Sequence, residues 1–128
     1  MRLRLRLKGG CWQVLVVEDE RGRCQVEEFL EALSKDNKAE YKKLIARLAR
    51  LADYGRPRNE EVFKHLWADL WEVKTTKVRV IAWWQGSNLV LLEAFTKRGH
   101  RIAPPVRERV QEMADRIPWL LAEFERGH

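Results

Sequence analysis

The chain has 128 residues, 45% of them hydrophobic, and 25 Lys and Arg against 19 Asp and Glu give a net charge of +6. That length and composition describe one folded domain and exclude wholesale disorder. No apolar run approaches the roughly 20 residues of a membrane span, and the cationic balance favours an anionic partner.

From the N-terminus, Arg2 to Lys8 alternates Arg and Leu and lacks the apolar core of a secretory signal. Two readings stay open for residues 1–10: an edge strand with one cationic face, or a basic arm. Trp12 to Val17 is a short β-branched run that reads as a strand closed by a turn at Gly22. Val26, Phe29, Leu30 and Leu33 follow helical spacing. Asn37 caps a second helix, with Glu40 in the capping-box position. Its stripe is Tyr41, Leu44, Ile45, Leu48, Leu51 and Ala52, and Gly55 and Pro57 stop it. The spacing predicts an antiparallel helical hairpin.

Three strands follow, near Leu66–Lys74, Lys77–Gln85 and Asn88–Phe95, with turns at Thr75-Thr76 and Gly86-Ser87. Pro104 and Pro105 open a last helix with the stripe Val106, Val110, Met113, Ala114 and Ile117. Pro118 is expected to kink or end it. Residues 118–128, with Trp119, Leu120, Leu121 and Phe124, then form a tail or a further helix. The expected fold is α+β in the order βααβββα. An antiparallel sheet packs with the N-terminal helical hairpin and a C-terminal helix.

The chemistry-bearing residues gather where the sheet ends. A Thr75-Thr76 loop would place Glu72 opposite Arg79 as a cross-strand ion pair, and a Gly86-Ser87 loop would place Ala94 on Arg79's other side. Lys97, Arg98, His100 and Arg101 follow the last strand. Lys and Arg can neutralise charge developing on a phosphate, Arg through two parallel hydrogen bonds. His100 suits proton transfer near neutral pH. RNA carries its own nucleophile in the 2′-hydroxyl, so the chemistry calls for no metal and no cofactor. Arg79, Lys97, Arg98 and His100 are the candidate catalytic residues. Lys74, Lys77 and Arg101 are candidate phosphate contacts, and Trp83, on the face of Arg79, is a candidate base contact. Two cysteines, Cys11 and Cys24, lie outside any Cys-x-x-Cys pair. With three histidines they argue against a zinc site and fit a reducing cytoplasm.

Several short stretches carry a resemblance. They are Val-Glu-Glu-Phe-Leu in the first helix, Leu-Ala-Asp-Tyr-Gly closing the second, Leu-Trp-Glu-Val-Lys, Val-Arg-Val-Ile, and Leu-Leu-Glu-Ala-Phe-Thr-Lys-Arg before a helix opened by prolines. In that order, over Trp12 to Arg116, the chain resembles the RelE/ParE superfamily of bacterial toxins, closest to its HigB-like and phage-derived branch. The resemblance implies the toxin half of a type II toxin–antitoxin pair that cleaves messenger RNA on the ribosome without a metal. It implies a cognate antitoxin, a helix-turn-helix protein, as partner, leaves a homodimer open, and involves no membrane. The family's strand arginine matches Arg79, its basic pair matches Lys97 and Arg98, and its second-strand lysine matches Lys74. The chain departs in having no Tyr after Tyr54, and in carrying Glu72 where certain members have a second lysine. A ParE-like gyrase inhibitor would share the fold, and a non-catalytic phage-derived RNA- or protein-binding module is the further alternative.

Overall fold

A computed structural model describes residues 1–99 and 101–127. Its elements are β1 (Arg2–Lys8), β2 (Gln13–Glu18), α1 (Gln25–Asp36), α2 (Lys38–Tyr54), β3 (Phe63–Trp67), β4 (Leu70–Lys74), β5 (Val78–Gln85), β6 (Asn88–Thr96) and α3 (Pro104–Arg126). The α+β class agrees with expectation, but the order is ββααββββα. The six strands form one sheet in the order β1-β2-β6-β5-β4-β3. It is mixed, not antiparallel, because β2 runs parallel to β6.

The helices lie on both faces of the sheet. The α1–α2 hairpin covers one face over Val14, Val16, Val80, Ala82, Leu89 and Leu91. Helix α3 covers the other over Leu15, Ile81, Trp83, Val90 and Leu92. Strands buried on both faces are apolar throughout instead of alternating, as Val80–Trp83 and Leu89–Leu92 are. Adjacent on β5, Trp83 and Trp84 point to opposite faces, and each packs against a helical layer. Trp83 is 3% exposed beneath α3. Trp84 packs on the hairpin side, 4.9 Å from Trp12 and 5.0 Å from Trp71 between ring centroids.

The strand expected over Leu66–Lys74 is two strands. Ala68 and Asp69 turn the chain between β3 and β4, with Ala68 at φ +49°. An alanine in the left-handed region is a turn that composition does not announce. His65 Nε2 and the Trp84 N–H lie 2.7 and 2.9 Å from the carbonyls of Ala68 and Asp69. Nor does Pro118 end the last helix, which continues to Arg126. Ile117 and Leu120, buried on either side of the proline, hold the helix on the sheet and override the missing N–H. Trp119 stays 63% exposed.

The Arg/Leu alternation resolves as the edge strand β1. Arg2 and Arg4 pair with Glu18 at 3.0 and 3.5 Å, and Arg4 and Arg6 pair with Glu27 at 3.5 and 2.7 Å. These cations are therefore matched by carboxylates of β2 and α1.

The turn after β1 rests on the C-terminal end of α2. The Ala52 carbonyl accepts from the N–H groups of Cys11 and Trp12 at 2.9 and 2.8 Å. A Cβ on Gly9 would lie 2.3 Å from the carbonyl carbon of Ala52. Backbone cannot give way there as a side-chain tip can. Gly9→Ala is therefore expected to lower unfolding free energy by about 1–3 kcal/mol, the overpacking range. Urea denaturation checks it, and an unchanged midpoint would contradict the close approach.

Candidate functional site

The β4–β5 turn, the end of β6 and the start of α2 meet at one end of the sheet. Helix α2 begins as its sequence predicts, with the Asn37 side chain accepting from the Glu40 N–H at 3.2 Å. The Glu40 carboxylate does not return to Asn37, as a capping box would have it. It is buried and accepts instead from the Thr75 hydroxyl at 2.5 Å and from the Lys77 N–H at 2.6 Å. Arg47, one face along α2, donates to the Lys74 carbonyl. Together Glu40 and Arg47 clamp the β4–β5 turn from below.

That clamp explains the strand register. Thr75 is drawn into the end of the ladder: its N–H donates to the Val78 carbonyl at 3.0 Å, and its hydroxyl accepts from the Val78 N–H at 3.1 Å. The loop is therefore Thr76-Lys77, one residue later than expected. Lys74 faces Arg79 and Glu72 faces Ile81. The two-residue shift keeps every side chain on its expected face. Glu72 and Arg79 still form an ion pair, diagonally, at 3.5 Å. A bulge between Ile81 and Ala82 shifts β6 by one residue, so Arg79 faces Phe95 and not Ala94.

Arg79 is a buried, committed cation at 9% exposure. Its Nη1 donates to the carbonyls of Thr75 and Val78 at 2.6 and 2.9 Å, and its Nε lies against Glu72. Burial of a guanidinium is tolerated when its donors are satisfied in this way. Lys77, Lys97, Arg98 and Arg101 are exposed, and Lys74 is half-buried. The Lys97 N–H donates to the Lys77 carbonyl at 2.8 Å, which fixes the backbone of the basic loop to the turn. Among the described residues no ion pair involves Lys74, Lys77, Lys97, Arg98 or Arg101, in contrast to the arginines of β1. Beside this rim a groove of about 380 Å³ runs between β6 and the start of α3, with Arg98 and Arg101 on its wall and Phe29, Phe95 and Val106 lining it.

The structure thus brings together Lys74, Lys77, Lys97, Arg98 and Arg101, with Arg79 beneath them. It does not bring Trp83 to the surface: that ring lies under α3 and offers no face to a base. His100 lies outside the described residues. Arg47 and Glu40 were missed as parts of this site, because both belong to helical faces whose partner strand is distant in sequence. The chance that Glu40 was more than a cap residue lay only in its proximity to the Thr75-Thr76 pair in space.

The chain is thus a small basic α+β domain with a sheet covered on both faces and a rim whose described cations form no ion pair among the described residues. Residues 28–115 match the family described as Phage derived protein Gp49-like (DUF891), and the chain belongs to that family. The match takes in the helical hairpin, β3 to β6, the basic loop and the first half of α3, so the whole rim lies within it. No curated protein matches the chain. Among the described residues no helix is long and apolar enough to cross a membrane.

Proposed function

We propose that this chain is the toxin of a type II toxin–antitoxin pair and that its rim cleaves messenger RNA on the ribosome. The observation that carries this reading is the convergence of Lys97, Arg98 and Arg101, exposed cations in no ion pair among the described residues, with the exposed Lys77 on the turn to which the Lys97 N–H is bonded. Membership of a phage-derived family and the RelE-like resemblance of its motifs support it.

In this reading the 2′-hydroxyl attacks the adjacent phosphorus, and the 5′-oxygen of the next nucleotide leaves. One group takes the 2′-hydroxyl proton and one returns a proton to the leaving oxygen. Arg98 and Lys97 hold the non-bridging oxygens, whose charge grows in the transition state. His100 is the proton-transfer group by virtue of its imidazole. Lys74, Lys77 and Arg101 hold flanking phosphates. Arg79 takes a positioning role, because its donors serve the Thr75 and Val78 carbonyls and so set the turn that carries Lys77. Trp83 takes none.

An antitoxin segment rich in carboxylates would mask the same cations. Induced expression is expected to arrest growth and leave cut transcripts, read by mapping RNA 5′ ends. Intact transcripts with stalled DNA replication would replace this reading by gyrase inhibition. Arrest with neither would leave a non-cutting binder, which the tethering of Arg79 would suit.

A further inference from the structure

A second cationic groove lies outside the rim. It has a volume of about 390 Å³, in the range of small-ligand sites, and runs between the C-terminal half of α2 and the loop that follows. Arg47, Arg50 and Arg56 line it, with Tyr54 and Asn59, and no Asp or Glu is among its lining residues. Tyr54 is 72% exposed, an unusual position for a large ring at the end of a helix. The Arg50 guanidinium carbon sits 5.2 Å from the centre of the Tyr54 ring, and that of Arg56 sits 4.8 Å from the centre of Trp71. Stacked guanidinium groups are held in place while their edge N–H donors stay free for oxygen acceptors.

The groove and the rim are joined. Arg47 lines the groove and also donates to the Lys74 carbonyl at the rim. The Lys74 N–H donates to the carbonyl of Val62, which lies on the groove's far wall, at 2.8 Å. These contacts fix the groove wall to the β4–β5 turn that carries Lys77.

We infer that this groove binds a single-stranded RNA segment flanking the rim, with a base stacked on Tyr54 and its phosphate held by Arg50 and Arg56. Planar cations, one largely exposed aromatic ring beside Arg50 and an absence of lining carboxylates match a phosphodiester with an unstacked base. An acidic peptide would use the charges but has no use for the ring. The identity of the ligand rests on the RNA reading above; the site itself does not.

The test is fluorescence anisotropy of a short labelled single-stranded oligoribonucleotide with the full chain and its variants. Tyr54→Ala is expected to weaken binding about tenfold, and Tyr54→Phe to bind as the parent does. Arg50→Ala should lower the slope of log affinity against log salt by about one. The Tyr54 effect should persist in an Arg98→Ala background. Equal binding by the parent and Tyr54→Ala would overturn the inference. So would polyglutamate competing as well as RNA in the parent and losing that ability in Tyr54→Ala. The two proposals fail separately: cleavage with an indifferent Tyr54 removes the groove alone, and Tyr54-dependent binding without cleavage removes the nuclease alone.

Discussion

An Arg98→Ala chain is expected to cleave ribosome-bound messenger RNA about 10²–10³-fold more slowly than the parent, the loss seen when one preorganised donor to a developing oxyanion is removed. Arg98 is exposed at the mouth of the groove beside β6, and among the described residues no ion pair holds it. Its donors are thus available to phosphate, whereas those of Arg79 already serve two carbonyls and Glu72. An exposed arginine contributes little to folding, so the unfolding free energy should be unchanged within about 0.5 kcal/mol. Arg98→Lys should recover part of the rate, since it restores the charge but not the two parallel hydrogen bonds. Single-turnover cleavage with the antitoxin removed checks both variants. A parent-like rate for Arg98→Ala would move the chemistry away from this loop.

The contrast between Arg98 and the N-terminal arginines decides which cations matter. Net charge treats Arg2, Arg4, Arg6 and Arg98 alike. The structure separates them, because each of the first three is ion-paired with Glu18, Glu27 or both. Sequence could not make that distinction: Glu27 meets β1 only after the chain has folded α1 over it. The basic loop was legible because its residues are contiguous, and contiguous cations stay together in any fold. The helices were legible for a similar reason, since their stripes, the Asn37 cap and the Gly55 stop are all local. Gly55 closes α2 at φ +76° as its position predicts.

What was not legible depends on contacts between distant segments. The split of β3 from β4 needs Ala68 in a left-handed conformation that no glycine or asparagine advertises. The run of α3 through Pro118 depends on Ile117 and Leu120 finding the sheet. The mixed character of the sheet depends on β2 lying beside β6, which are joined by more than half of the chain. In one place a side chain completes the sheet. The Gln25 carboxamide donates to the Ala94 carbonyl at 2.6 Å and accepts its N–H at 2.8 Å, standing in for a strand where β2 has ended. A glutamine opening a helix gives no hint of that.

Replacing Glu40 is expected to have the largest effect on stability and to carry it into function. Glu40 is 3% exposed and joins α2 to the β4–β5 turn through Thr75 and the Lys77 N–H. Glu40→Ala leaves those donors facing a vacated acceptor, so a loss of about 3 kcal/mol follows from hydrogen bonds to a charged group. Burial by itself pushes the Glu40 carboxyl up, but the hydrogen bonds from Thr75 and Lys77, with the charges of Lys43 and Lys77, outweigh it and hold the group below its ordinary value. The sign then follows. A carboxylate whose folded value is depressed stabilises the fold above its unfolded value, and that contribution is lost as pH falls through the folded value. The parent should therefore lose stability on the acid side of the usual carboxylate range, and Glu40→Gln should show a shallower acid limb in urea titrations at several pH values. A double-mutant cycle with Thr75→Val isolates the contact. The same turn carries Lys77 and, through the Lys97 N–H, fixes the basic loop. Glu40→Gln at neutral pH should therefore weaken RNA binding although residue 40 touches no RNA. Parent-like affinity in a destabilised Glu40→Gln chain would show that the rim keeps its spacing without the clamp.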